Sequence, residues 1–407
     1  MIEFVIENLH VQIRLPSDGD GWQIEVTASP GMLRQTLPIS PPPLIQVTNE
    51  VYPSLPLYDH QAQGWIKGAR LRGVDTQETT AYGMLAAQSL AVSSSLEDGI
   101  IFTAGLDYDL DPAWGTIGRL PGSRINPSQP VYLSYAHFLS RLDTLVFDPA
   151  GQFSVWQGMP HITTPLPPDI PNPLLPVCNI WVPGTLARLS EDNILPFLES
   201  SAPAAPVISP SEIHQRLPKT LARLHQGGSL RILAWGDSVT DGIYLPDPAR
   251  ERWQEQFRTR LEQRFPQVQV VLTSLGWGGR STQDFLAQPP GSPYNLRQRL
   301  QETQPDLIIS EFVNDAGLPD SWVEQVYPSL LQEFQASGIE WIILTPHYVR
   351  PDWMGLDREK NIDDDPRPYV HALRTFTTHH SQGLALADAA KKWGRLWRQG
   401  IPYSTLF

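Results

Sequence analysis

From Ser211 to the C-terminus the chain alternates amphipathic helices with short apolar strands, and that alternation leaves few folds open. Helical spacing covers Ser211 to Gln226, Asp247 to Arg264, Asn295 to Thr303, Asp320 to Ser337, Arg367 to His379 and Ala389 to Arg398. Trp253, Phe257 and Leu261 share one face of the second of these. Between them lie strands at Ile232–Trp235, Val268–Ser274, Leu307–Phe312, Trp341–Leu344 and Leu384–Ala387. Parallel strands need crossover connections, usually helices, so this order predicts a parallel sheet covered on both faces. Ligands of such sheets gather at the carboxyl ends of the strands.

The first half reads differently. Short alternating runs at Phe4–Arg14, Trp22–Thr27, Gly99–Thr103, Val131–Tyr135, Asp143–Phe147 and Gln152–Gln157 are bounded by Pro, Gly, Asp or Ser. They predict a β-rich domain, with "FDPAGQFSV" as a hairpin and one helical patch over Thr80–Ser94. "SSAPAAPVISP", residues 200–210, reads as a linker. The expected organisation is therefore a β-rich domain over 1–199 and an α/β domain over 211–407.

Composition closes off several function classes. A net charge of −13 argues against a nucleic-acid partner. No run of about eighteen apolar residues offers a membrane span. The opening MIEFVIENLHVQIRL carries acids and alternates like a strand, unlike a signal peptide, so cytoplasmic residence is the default expectation. The single cysteine, Cys178, excludes an internal disulfide and a cysteine-based zinc site, and is expected as a small buried apolar side chain.

Chemistry concentrates after the strands. The first strand runs into Gly236-Asp237-Ser238, and the second into "LGWGGRST", Leu275 to Thr282. The third runs into Val313-Asn314-Asp315 and the fourth into Pro346-His347. A parallel sheet brings these residues to one edge. A serine there supplies a nucleophile. Backbone N–H groups of a glycine turn and an asparagine amide supply donors for an oxyanion, each worth roughly 2.7–4 kcal/mol.

Together "GDSVTDG", "SLGWGGRST" and "FVNDAG" resemble three ordered blocks of the SGNH hydrolases, the GDSL-type esterases and lipases. The resemblance covers about residue 229 onward. It implies a flavodoxin-like α/β/α sandwich of about five parallel strands, with no metal or organic cofactor. It also implies ester hydrolysis through a serine acyl-enzyme, on acetylated carbohydrate or other short acyl esters, the substrate being a small molecule or a glycan ester. Ser238 takes the nucleophile's place, Gly279 the oxyanion glycine's (Gly278 under a one-residue shift), and Asn314 that of the side-chain donor. Phe312 stands where the family usually has glycine.

The family's fourth block, a histidine near the C-terminus often preceded three positions earlier by an acid, has no counterpart. No histidine follows His380. Three expectations compete: a chain shortened before that block, a base relocated to His347, or a domain that binds an ester or glycan without cleaving it. Trp277, inside the glycine turn, is expected at the pocket rim, Asp388 as a cap, and His371, His379 and His380 at the surface. The first half is expected as a carbohydrate-binding domain, an assembly module or a rigid spacer packed against the second domain; Trp114, Tyr132, Tyr135 and Trp156 do not separate these, because alternating aromatics are normal in β cores.

Overall fold

The computed structural model describes residues 1–16, 21–29, 33–199, 210–319, 321–360, 362 and 364–406. The chain forms two compact units, residues 1–201 together with 396–407, and residues 202–395. The expected linker at 200–210 lies, apart from Pro210, outside the described residues. Residues 396–407, expected in the second domain, pack in the first. The backbone N–H groups of Leu198 and Glu199 donate to the Arg398 carbonyl at 2.9 and 3.0 Å. The buried Asn179 amide donates to Gly400 O at 2.7 Å.

The second unit is built on a parallel sheet of Gly228–Gly236, Val268–Gly276, Leu307–Glu311, Glu340–Leu344 and Leu384–Ala387. In space the strands lie in the order second, first, third, fourth, fifth. Alternation within each strand fills both faces. Leu233, Trp235 and Ile308 point into a core shared with helices Ser321–Ala336 and Pro368–His379. Leu230, Ile232, Leu307 and Ile309 point into the opposite core, shared with Leu224, Trp253, Phe257 and Leu261 of Pro218–Gln226 and Trp253–Arg264. This is the flavodoxin-like α/β/α sandwich.

Three expected helices are broken; Ala389–Arg398 ends at Trp393, and Leu396–Arg398 is a separate 3-10 turn. Ser211–Gln226 becomes Pro210–Arg216 and Pro218–Gln226, because Pro218 offers no N–H to continue the ladder. Asp247–Arg264 breaks at Arg252, whose φ of −53° and ψ of 139° leave the helical region.

In the first unit, antiparallel strands Ile2–Ile6, Leu9–Arg14, Gln23–Ser29 and Leu33–Pro38 form one sheet. Phe153–Trp156, Arg141–Phe147, Leu175–Val182 and Ile194–Pro196 form a second. The two bury Val11, Ile13, Ile24 and Val26 against Leu145, Val177, Ile180 and Val182, with Cys178 fully buried among them. A second core around Leu71, Leu133 and Ile117 is enclosed by a three-stranded sheet, Leu44–Tyr52, Val131–Phe138 and Leu85–Ser93, and a smaller one. The hairpin at "FDPAGQFSV" pairs Phe147 with Phe153, and Gly151 turns it at a φ of 82°. Thr80–Ser94 is not helical: Leu85–Ser93 is a strand, paired along Val131–Phe138. Its alanines favour a helix locally, but cross-strand pairing decides the outcome.

Candidate active site

Strand order concentrates the chemistry. The sheet reverses direction of construction between its first and third strands, and a crevice opens at that switch point. Ser238 follows the first strand and Asn314 the third, so they flank the crevice from adjacent strands. The glycine turn follows the second strand, on the other side of Ser238.

Ser238 opens a single helical turn, Ser238–Asp241, capped by Asp237. That turn sits hard against the sheet, because glycine ends both neighbouring strands. A Cβ on Gly276 would lie 2.3 Å from Asp241 N, and one on Gly236 would lie 2.2 Å from Thr240 Oγ1 and 2.4 Å from Glu311 O. Any side chain at either position would push the serine out. Beyond Gly276, Trp277 N donates to Gly236 O at 3.0 Å and carries the chain past the nucleophile. A Cβ at Gly278 would stand 3.8 Å from Ser238 Cβ. Gly279 adopts a φ of 70°, a left-handed conformation that favours glycine.

Asp237 binds this arrangement together. One carboxylate oxygen accepts Val239 N at 3.1 Å; the other accepts both Asn314 N at 3.0 Å and Asn314 Nδ2 at 2.9 Å. The Asn314 amide is thus tied to the residue that precedes the serine, with one N–H committed to Asp237. Asp315 makes a parallel tie. It accepts Thr282 N and Oγ1, both at 2.7 Å, and Tyr327 OH at 3.2 Å, joining the asparagine turn to the glycine turn. Burial outweighs these hydrogen bonds in both cases and pushes each carboxyl up to about 6. Glu311, between them in the third strand, is buried with no hydrogen-bond partner on either oxygen among the described residues. Burial, then the charges of Asp237 and Asp315, push its pKa well above the usual carboxylate range.

The sequence reading missed these acids. Asp237 carried only the generic signal of a helix cap. Glu311 was visible as an acid closing an otherwise apolar strand, "LIISEF", which is an expensive place for a carboxylate. Phe312, in the position usually held by glycine, points down into the core against Trp235 and Phe285, with ring centroids 4.9 and 5.7 Å away.

Trp277 stacks flat on Tyr294, centroids 4.2 Å apart and 2° from parallel, with the Arg280 guanidinium 5.0 Å above its ring. His347 follows the fourth strand, two strands away from Ser238's, or roughly 10 Å across the sheet. Its ring packs 5.7 Å from Trp393, and burial followed by the Arg367 charge lowers its pKa to about 4. Asp388 caps Ala389–Trp393 through Lys391 N and binds Arg374. Asp365 is buried in an ion pair with Arg367 at 2.6 Å.

The GDSL-like lipase/acylhydrolase family matches residues 234–406, from inside the first parallel strand through all three blocks. This segment belongs to the SGNH/GDSL hydrolases. Its matched residues run on into 396–406, which pack in the first unit. Among solved structures, the chain is similar to a two-domain esterase (CEX) active on acetylated mannans, at 18% identity and a TM-score of 0.33, covering 46% of this chain and 45% of that one. It is similar to AlinE4, an SGNH-hydrolase family esterase, at 21% identity and a TM-score of 0.27, covering 39% and 76%. A lipolytic protein of the G-D-S-L family from Veillonella parvula DSM 2008 gives 22% identity and a TM-score of 0.31, covering 42% and 84%. The match thus spans less than half of the two-domain esterase. No curated protein matches the chain. Among the described residues no helix is long and apolar enough to cross a membrane.

Proposed function

We propose that the SGNH/GDSL domain hydrolyses short acyl esters, with acetylated carbohydrate as its substrate class, through an acyl-enzyme on Ser238. The observation that carries this reading is the Asp237 carboxylate, which fixes Asn314 Nδ2 beside the residue that opens the helical turn. Ser238 Oγ attacks the ester carbonyl, and the carbonyl oxygen gains negative charge. That charge is met by the Ser238 N–H, the Gly279 N–H and the Asn314 side-chain amide. Collapse expels the alcohol and leaves the acyl group on Ser238, and water then releases it as the acid.

The serine proton needs an acceptor within roughly 3 Å of Oγ. His347 is poorly suited to that role, because one whole strand separates its own from the nucleophile's and its proton affinity is lowered. A histidine supplied by an added segment would serve as that acceptor. Without it the 407-residue chain retains the catalysis of its donors alone, about 10³–10⁴-fold over water. Acid release from p-nitrophenyl acetate and from acetylated oligosaccharides tests the reading. A chain extended by such a segment is expected to gain orders of magnitude, with the gain abolished by Ser238→Ala. Turnover by the unextended chain that His347→Ala removes would move the base to His347. Tight binding of an acetylated glycan with no acid release from either form would leave a binding module.

A further inference from the structure

Within the first unit, Trp65, Tyr82 and Trp114 lie outside both apolar cores and gather with one another instead. Trp65 and Trp114 have ring centroids 4.8 Å apart at 59°, and Tyr82 meets Trp114 at 5.1 Å and 69°. The three rings come from three separate segments: a short 3-10 turn, Gly64–Ile66, the loop before Leu85–Ser93, and the tip of the hairpin joining Tyr108–Asp111 to Thr116–Arg119. Tyr82 is 50% exposed and the adjoining Ile66 55%.

The backbone around these rings is fixed on every side. Asp111 Oδ1 accepts Trp114 N at 3.1 Å, and Thr80 Oγ1 donates to Trp114 O. Arg70 Nε donates to Trp65 O at 3.1 Å, and Thr116 Oγ1 donates to Gly64 O at 2.6 Å. The Trp114 indole lies directly on Gly64, where a Cβ would come within 1.8 Å of it. Glycine beneath one ring and hydrogen bonds to the backbones of both tryptophans hold the rings in place. Rings fixed in advance are what a binding surface needs, since the ordering cost is met during folding.

The geometry points to a saccharide-binding site on Trp65, Tyr82 and Trp114, for an uncharged glycan chain. Aromatic faces match the apolar faces of pyranose rings, and the polar edges of Trp and Tyr can bond their hydroxyls. The charges beside the rings are paired internally, Lys67 Nζ with Asp111 at 2.8 Å, which suits a neutral ligand better than an ionic one. Nucleic acid is disfavoured by the net charge of −13. Three partly exposed rings offer at most a few hundred Å², short of the ~800 Å² per partner of a stable protein interface.

Native electrophoresis of the full chain through gels containing galactomannan, arabinoxylan or hydroxyethyl cellulose tests the site. Retardation is expected with at least one of the three. The dissociation constant should rise about tenfold for Tyr82→Ala, the effect of losing one aromatic contact. Tyr82 is exposed, so this variant should fold. Trp65→Ala, with near-ultraviolet circular dichroism as a fold check, should weaken binding further, while Ser238→Ala should bind as the parent does. No retardation in any of the three gels, or parental retardation of both aromatic variants, would overturn the site. Neither result depends on ester hydrolysis.

Discussion

The Asp237 carboxylate accepts N–H donors from Val239, Asn314 and the Asn314 amide. Asp237→Ala removes a helix cap and strands these donors in a dry site. Urea unfolding is expected to show a loss of about 3 kcal/mol; a loss below about 1 kcal/mol would mean that water reaches them. Asp315 makes a different forecast because its partners are largely hydroxyls, which can turn to donate or accept. Its carboxyl holds a proton up to about pH 6 in the folded chain, against an ordinary value of 3.8. The stability gained from that proton is complete below about pH 4 and lost as pH rises to about 6. The amide introduced by Asp315→Asn has no such proton to lose, so the stability of this variant relative to the parent should rise between about pH 4 and 6 and level off above. An offset that stays flat with pH would contradict the shift.

At the scale of elements, the helical turn bearing Ser238 keeps its place only because glycine ends two adjacent strands. Gly276→Ala sets a methyl group 2.3 Å from Asp241 N, a backbone atom that cannot swing aside. The expected cost is about 3 kcal/mol by chemical denaturation, as for an overpacked core. A Cβ on Gly279 would meet no atom within 4 Å, so Gly279→Ala should cost only its left-handed backbone strain, about 1–2 kcal/mol. Comparing the two variants separates a steric requirement from a conformational one, and equal costs would refute the distinction.

For the whole molecule, the telling feature is the return of residues 396–407 to the first unit. Deleting them strips the Asn179 amide of Gly400 O and frees the backbone at Leu198 and Glu199. Hydrogen exchange should accelerate in Leu175–Val182 and Ile194–Pro196, while the five parallel strands keep their protection. Faster exchange in the parallel sheet instead would place the tail's main role in the second unit. Local pattern alone carried much of this architecture. Alternating helices and strands after Ser211, with apolar runs too short for anything but buried strands, dictated a parallel sheet and put Ser238, Gly279 and Asn314 at its carboxyl edge. Those properties belong to neighbouring residues and their periodicity, which a sequence displays directly. Strand order does not, and it is what sets Asn314 beside Ser238 and His347 two strands away. Nor do the buried acids announce their work: the pairing of Asp237 with Asn314 and of Asp315 with Thr282 links residues 77 and 33 positions apart. The strand at Leu85–Ser93, helical by composition, and the tail that crosses back to Asn179 have the same origin. Each is settled by a partner distant in the chain, and only closing the tertiary structure selects that partner.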